Sequence, residues 1–349
     1  MSVSPHTVAN SKDGAGRGTL TVDGCVLLDP TSVFTQRVDG LPAKSYAAGS
    51  NPIARASSML DDANRNSLGS GASTAEYQGS VYGMPLVTVT GAKRDMTIGT
   101  SDYGYQTLPA FLPADPAIHW EGEPSLTFSD LHLTVLDRTS CALQEHIGYN
   151  NAFKSSAHGV QWALPISSSA TRIRTDGHGL SNVEAARLPI APLVYRFDEV
   201  YPAGIAGAVG EIDHALRVAF PKDVNSATAW VWPAGATDGT ATVAAAMPMG
   251  TRLRLSAAAF TRLQDDTTIP AGTKSILTAL RRYGAVVADS TQPTPSGGFG
   301  LSGEYNPSWP AGVLSSLSKV RADDLEVVDV GCWQGTAQFN VKTPTPTAC

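Results

Sequence analysis

Apolar residues recur along this chain in short runs with a period close to two, each closed by Gly, Pro, Asp or Asn. Such runs lie at Thr19–Val22, Met84–Thr90, Leu131–Asp137, Cys141–Ile147, Val160–Leu164, Leu193–Phe197, Ile212–Phe220, Ala229–Trp232, Thr251–Ser256, Ala285–Ala288, Leu325–Val330 and Ala337–Val341. Alternation on that scale marks strands with one buried face. About a dozen of them on turn-rich links predict an all-β protein, a large sandwich or jelly-roll-like domain. The runs on either side of Arg138-Thr139-Ser140 predict a hairpin. A helical period is scarce. Thr273–Tyr283 carries Ile276, Leu277 and Leu280 on one face with Gly284 as its stop. Pro310–Lys319 and residues 53–65 give shorter candidates, and Ser181 with Glu184 three residues on fits a capped turn. Two or three short helices are therefore expected. Residues 1–18, polar and glycine-rich, are read as a flexible N-terminal segment, and 19–349 as a single β-rich domain. The Pro/Gly/Ser-rich stretch 291–308, with Tyr305 and the nearby Trp309, is expected to be a loop.

Composition narrows the function. In 349 residues the charged fraction is 16%, and 25 basic against 31 acidic residues give a net charge of −6. With no basic block, nucleic acid is not an expected partner. No run is long and apolar enough for a membrane span. The start, Met1–His6, is polar, and abundant Ser, Thr, Gly and Ala with a Thr-Pro tail point to a secreted or periplasmic protein whose leader has been removed. Four cysteines allow three pairings. Cys349 is expected to tie the tail to Cys332, leaving Cys25 with Cys141; the plainer alternative is four free thiols. No cysteine or histidine spacing suits structural zinc. No cofactor is expected either, since a phosphate loop and a dinucleotide fingerprint are both lacking.

The candidate chemistry lies in acids and histidines set within strand-like segments. His119-Trp120-Glu121-Gly122-Glu123 is followed by Asp130-Leu131-His132, Asp137 and Glu145-His146, and later by Glu211–Arg217. Alternation places Glu145 in a row with Cys141 and Leu143, and His132 across the sheet from it. A buried carboxyl in such a row is raised in pKa, as a general acid needs. The plainer reading is a strand end where Glu145 reaches water. Glu145 and Asp130 form the leading carboxylate pair, with Glu121 as substitute and His132 and His214 tuning them. His214 falls on the apolar side of its run, where a satisfied core histidine is the commoner outcome. Arg217 is read as a surface or groove partner of Glu211 or Asp213, assisting substrate binding. Trp230 and Trp232, two apart on a strand, and Trp120 offer faces for stacking sugars, against core packing as the bland alternative. Asp238 in a Gly-rich loop, and His158, His178 and Asp176, are weaker candidates for metal ligation. No nucleophile elbow follows a strand, so serine hydrolysis is poorly supported.

Six phrases in order, Arg37–Ala43, Ser129–Glu145, Ala186–Val200, Gly210–Phe220, Pro248–Leu255 and Ile276–Ser290, resemble a family of secreted, largely uncharacterised bacterial β-rich proteins. The resemblance implies an extracellular single domain and brings no activity. Ser50–Gly83 departs from it. The leading expectation is a secreted, polysaccharide-active glycoside hydrolase that uses a carboxylate pair in an aromatic-lined groove and acts on a polysaccharide or oligosaccharide. Two alternatives stand beside it. One is a non-catalytic carbohydrate-binding or cell-surface protein; the other is a metal-dependent hydrolase or lyase built on His132, His214 and an acid.

Overall fold

The computed structural model describes residues 7–14, 16, 18–69, 83–91, 93–98, 106–111, 121, 130–148, 158–162, 164–166, 172–173, 183–203 and 209–330. Strand β1 (Val8–Lys12) falls inside the stretch expected to be flexible, and it pairs with β2 (Gly18–Val22). An Asp23-Gly24 turn then returns the chain into β3 (Cys25–Leu28), closing an antiparallel three-stranded sheet. Alternation buries Leu20, Val22, Cys25 and Leu27. Helix α1 (Pro52–Asp62) follows. Asn51 caps it by accepting from the Ile53 and Ala54 amides, and Pro52 occupies the first turn, where no donor is needed. Ile53, Ala56, Ser57 and Leu60 form its buried stripe.

The second sheet holds the expected hairpin. Its order is β10-β9-β8-β7-β4, from β4 (Leu86–Val89), β7 (Leu133–Asp137), β8 (Ala142–Ile147), β9 (His158–Trp162) and β10 (Arg172–Ile173); β5 (Lys93–Ile98) and β6 (Gln106–Phe111) form a separate two-stranded ribbon. In the β7–β8 hairpin Thr134 lies opposite Glu145 and Leu136 opposite Leu143. His132, Thr134 and Leu136 thus share a face with Leu143 and Glu145, as the alternation predicts. Asp137 closes the turn by accepting from the Gly91 and Thr139 amides and the Ser140 hydroxyl. These bonds hold its carboxyl below the ordinary range despite its burial. The turn also carries Cys141, whose disulfide to Cys25 joins the first two sheets. This is one of the two expected pairings; Cys332 and Cys349 lie outside the described residues, as does 337–341.

The run Leu193–Phe197 is not a strand. Pro192 removes a donor, and the chain forms a 3-10 turn over Ala191–Leu193 followed by helix α2 (Phe197–Val200). The third sheet has the order β16-β11-β15-β14-β17, from β11 (Leu216–Pro221), β14 (Arg252–Leu255), β15 (Ala285–Thr291), β16 (Gly300–Leu301) and β17 (Leu325–Val327). Strands β12 (Asn225–Trp230) and β13 (Met247–Met249) pair beside it. Strands β11 and β15 run parallel, which requires a crossover. That crossover includes helices α3 (Ala257–Asp265) and α4 (Ala271–Arg282). Ser256 caps α3 through the Ala259 amide, and α4 ends at Gly284 with φ of +71°, its amide bonded to the Ala279 carbonyl.

The architecture is strand-rich, with four α-helices and several sheets among the described residues, none closed into a barrel. A mixed sheet with helix α4 packed on β14 departs from a purely β reading. The sequence Arg252-Leu253-Arg254-Leu255 shows why: Leu253 and Leu255 join Ile276, Leu277 and Leu280 of α4 in the core, while the alternate arginines take the other face. No described helix is long and apolar enough to cross a membrane.

Candidate active site

Two of the predicted residues form a closed pair. His132 Nδ1 lies 2.7 Å from Glu121 Oε2, and its Nε2 lies 2.9 Å from the Val183 carbonyl. Both ring nitrogens therefore face acceptors, a set that suits the doubly protonated ring. Burial alone would lower this imidazole, but the charges of Glu121 and Asp130 raise it to about 10. Glu121 in turn is kept below the usual carboxylate range, the imidazolium outweighing burial. The bond to Val183 pins the segment that delivers Glu184.

Arg217 is not a surface residue. Its strand begins at Leu216, so the alternation does not extend back to Glu211 and Asp213, which pair with Lys12 instead. Arg217 is fully buried on β11. It donates from Nε to Glu184 Oε2 at 2.6 Å, from Nη1 to Ser302 Oγ at 2.6 Å and from Nη2 to Asp289 Oδ2 at 2.5 Å. Nε and Nη2 share one edge of the guanidinium, so the Glu184 and Asp289 oxygens sit side by side. Desolvation and then repulsion by Asp289 push Glu184 up to about 8, against the attraction of Arg217. Sequence reasoning missed both acids. Asp289 had a signal, a carboxylate ending the apolar run Ala285–Ala288; Glu184 read only as a helix cap.

Asp130 stands at the open side of this cluster. It is solvent-exposed, yet desolvation is the largest cause of a rise to about 6, reinforced by Asp289 and Glu121 and opposed by His132 and Arg217. Asp130 thus meets water while lying in the field of His132, Asp289, Glu121 and Arg217. Lys222, close enough to feel the Asp130 charge, and Asp238 complete the group. They form an ion pair at 3.3 Å with side chains 44% and 34% exposed. Asp238 also accepts from Ser290 Oγ at 2.5 Å. Its carboxyl is raised by desolvation and by Asp289. Lys222 is raised despite its partial burial, by Asp238 first and then by Asp130 and Asp289. Asp238 therefore belongs to a carboxylate cluster, with an ammonium for its partner.

The other predicted residues lie elsewhere. Glu145 is wholly buried and accepts from Trp162 Nε1 and from the Ile190 and Ala191 amides, each at 2.8 Å. It caps the 3-10 turn, and burial raises its carboxyl. Nothing opens it to a substrate, so it is a core carboxylate on the same sheet face as His132. His214 is also fully buried, between the Ala215 carbonyl at 2.8 Å and Glu199 at 3.1 Å, the satisfied core histidine. Strand β12 ends at Trp230, which packs half-buried against the core. Trp232 follows in a turn and lines a separate cavity, so the two rings do not form a strand-borne platform. Trp120, the His158 side chain, Asp176 and His178 lie outside the described residues. Trp309, from the expected loop, instead joins an aromatic cluster with Tyr195 and Phe197, centroids 5.8 and 5.4 Å away. Among the described residues no three His, Cys, Asp or Glu side chains converge to hold a metal ion.

No family model, no curated protein and no solved structure matches this chain.

Proposed function

We propose that the carboxylate cluster around Asp130 is the active site of a hydrolase acting on polysaccharide or oligosaccharide, a glycoside hydrolase. The observation that carries this reading is the exposed carboxyl of Asp130 set beside the buried Glu121–His132 and Arg217–Asp289 groups, with desolvation and the neighbouring acids raising it to about 6. A group so tuned both donates and accepts a proton near neutrality. Asp238, paired with Lys222, supplies the second carboxylate, its carboxyl raised by desolvation and by Asp289. In glycoside hydrolysis one carboxyl protonates the leaving oxygen, and the other attacks the sugar or activates water. Beneath them Arg217, Glu184, Asp289 and the Glu121–His132 pair act as positioning residues, fixing the field that sets Asp130. The disulfide supports a compartment outside the reducing cytosol, and the resemblance to secreted bacterial proteins supports an extracellular or periplasmic setting.

A glycan-degradation screen of wild type beside Asp130→Asn and Asp238→Asn tests the reading, with melting temperatures measured for each. Products from wild type, reduced by about a hundredfold or more in Asp130→Asn at unchanged melting temperature, are expected. The wild-type rate should rise through pH 6 or fall through it, and that limb should vanish in the variant. Full activity in Asp130→Asn overturns the assignment. No product from any glycan, with retardation in polysaccharide affinity gels, favours a non-catalytic carbohydrate-binding protein.

A further inference from the structure

The parallel pairing of β11 with β15 slips by one residue beside the Asp130 cluster. Arg217 lies opposite Val286 and Val218 opposite Val287, but Ala219 lies opposite Asp289, which leaves Ala288 as an extra residue. In an unbroken ladder Val286, Ala288 and Ser290 would share the face of Arg217, and Asp289 would point to the other. The bulge turns Asp289 onto the arginine's face, where its carboxylate accepts from Arg217 Nη2. At the same point the Ala288 carbonyl accepts from the Ala186 amide at 2.9 Å, two residues beyond Glu184. One irregularity thus helps to place both acids that the Arg217 guanidinium holds.

Asn225, fully buried at the start of β12, clamps this bulge. Its Nδ2 donates to the Phe220 carbonyl at 3.1 Å, to the Asp289 carbonyl at 3.3 Å and to Ser290 Oγ at 2.9 Å. Three acceptors around one atom fix which end of the side chain carries the hydrogens. The Ser290 hydroxyl, having accepted from Asn225, gives its own hydrogen to Asp238 at 2.5 Å. The loop that carries Asp238 also lies on Asn225: a Cβ at Gly239 would stand 2.5 Å from the Asn225 carbonyl oxygen, a closeness that glycine allows. We propose that Asn225 is a positioning residue of this site, holding Asp289 on Arg217 and aiming Ser290 at Asp238. The proposal rests on the reading of the Asp130 cluster as the active site. Being buried, Asn225 acts through the residues it holds. Without its amide, two backbone carbonyls and the Ser290 oxygen lose a donor at the bulge.

Side-chain NMR of wild type, Ser290→Ala and Asn225→Ala tests it, with glycan turnover measured on the same samples. In wild type the Asn225 amide resonances should shift with pH at the midpoint of the Asp238 carboxyl, since the Ser290 hydroxyl links the two. Ser290 is only partly buried, so Ser290→Ala should fold as wild type does. In that variant the Asn225 response should vanish and the Asp238 midpoint should rise, because the charged form loses a hydrogen bond. Lys222 and Asp289, which also act on Asp238, remain in place. Asn225→Ala should raise the same midpoint, with no further rise when it is combined with Ser290→Ala. It should also lower kcat by about tenfold or more, with KM within about twofold of wild type. A wild-type Asn225 amide indifferent to the Asp238 titration overturns the proposal even where Asn225→Ala does not fold. A folded Asn225→Ala with wild-type kcat and an unmoved Asp238 midpoint overturns it as well. Absence of glycan turnover in wild type overturns the hydrolase reading instead, and the amide titration still decides whether Asn225 holds these carboxylates.

Discussion

His146 makes this protein sensitive to acid in a way that one residue explains. It is wholly buried on β8, and neither ring nitrogen has a hydrogen-bond partner among the described residues. Burial lowers the imidazole to about 4 from the ordinary 6.5. Between those values the unfolded chain binds more protons than the folded one, so stability rises with pH across the window and is lost as pH falls through it. The full shift corresponds to about 3 kcal/mol. Wild type should therefore lose melting temperature steeply from pH 7 to pH 4, and His146→Leu should lose clearly less. Parallel declines would place the acid liability elsewhere. Two other groups act with different windows. Glu184, raised from 4.5 to about 8, makes the folded state the stronger proton binder, so its contribution is lost as pH rises through that range. His132, raised to about 10, contributes below 6.5, and its contribution is lost only as pH rises through 10. Of these three groups, His146 is the one whose window lies wholly on the acid side of neutrality.

Elements, rather than residues, decide which acids are structural and which are open to substrate. Glu145 holds β8 to β9 through Trp162 and caps the turn that replaces the expected strand at 193–197. Glu145→Gln keeps an oxygen for the amides but sets an amide NH2 against the indole N–H. It should cost about 2 kcal/mol, read as a lower urea midpoint at unchanged m-value, with activity per folded molecule retained. A variant as stable as wild type would remove Glu145 from the core framework. The contrast with Asp130 also shows how far the sequence could be read. The hairpin, α1, α4 and its Gly284 stop are local patterns, and each was legible. Helix α3 was not, because only Ala259 and Leu263 form its buried stripe. Strand β3 was missed although Asp23-Gly24 is a hairpin signal. Within the site, Glu121, Asp130 and His132 announced themselves as polar residues among strands. The junction of Arg217 with Glu184 and Asp289 did not, because it depends on pairing β11 with a parallel strand seventy-two residues away. The alternation that set Glu211 and Asp213 beside Arg217 assumed a strand longer than the one that forms.

Among the described residues, the sheets share one hydrophobic core, and the Cys25–Cys141 bridge is a covalent link between two of them. It ties the first residue of β3 to the turn of the β7–β8 hairpin, 116 residues later. Nearby, the Leu28–Ile166 bridge continues the same contact between the sheets. The covalent link acts chiefly on the unfolded chain, where it forbids the separation of two segments that a long loop would otherwise allow. For a loop of that length the chain-entropy argument gives about 4–5 kcal/mol, a large share of the stability of an ordinary domain. Chemical reduction is a less specific test, because it is not confined to this bridge. Cys141→Ala is better: Cys141 is half-buried, while the buried sulfur of Cys25 stays in the core, so the bridge is lost with little loss of packing. Its urea midpoint should fall by the equivalent of several kcal/mol. A steeper dependence on urea should accompany the fall, since an unlinked chain exposes more surface when it unfolds. Cys25→Ala should fall further, by the additional cavity. If Cys141→Ala unfolds at the wild-type midpoint, the first two sheets are held together by their noncovalent contacts alone, and an oxidising compartment is not needed for the fold.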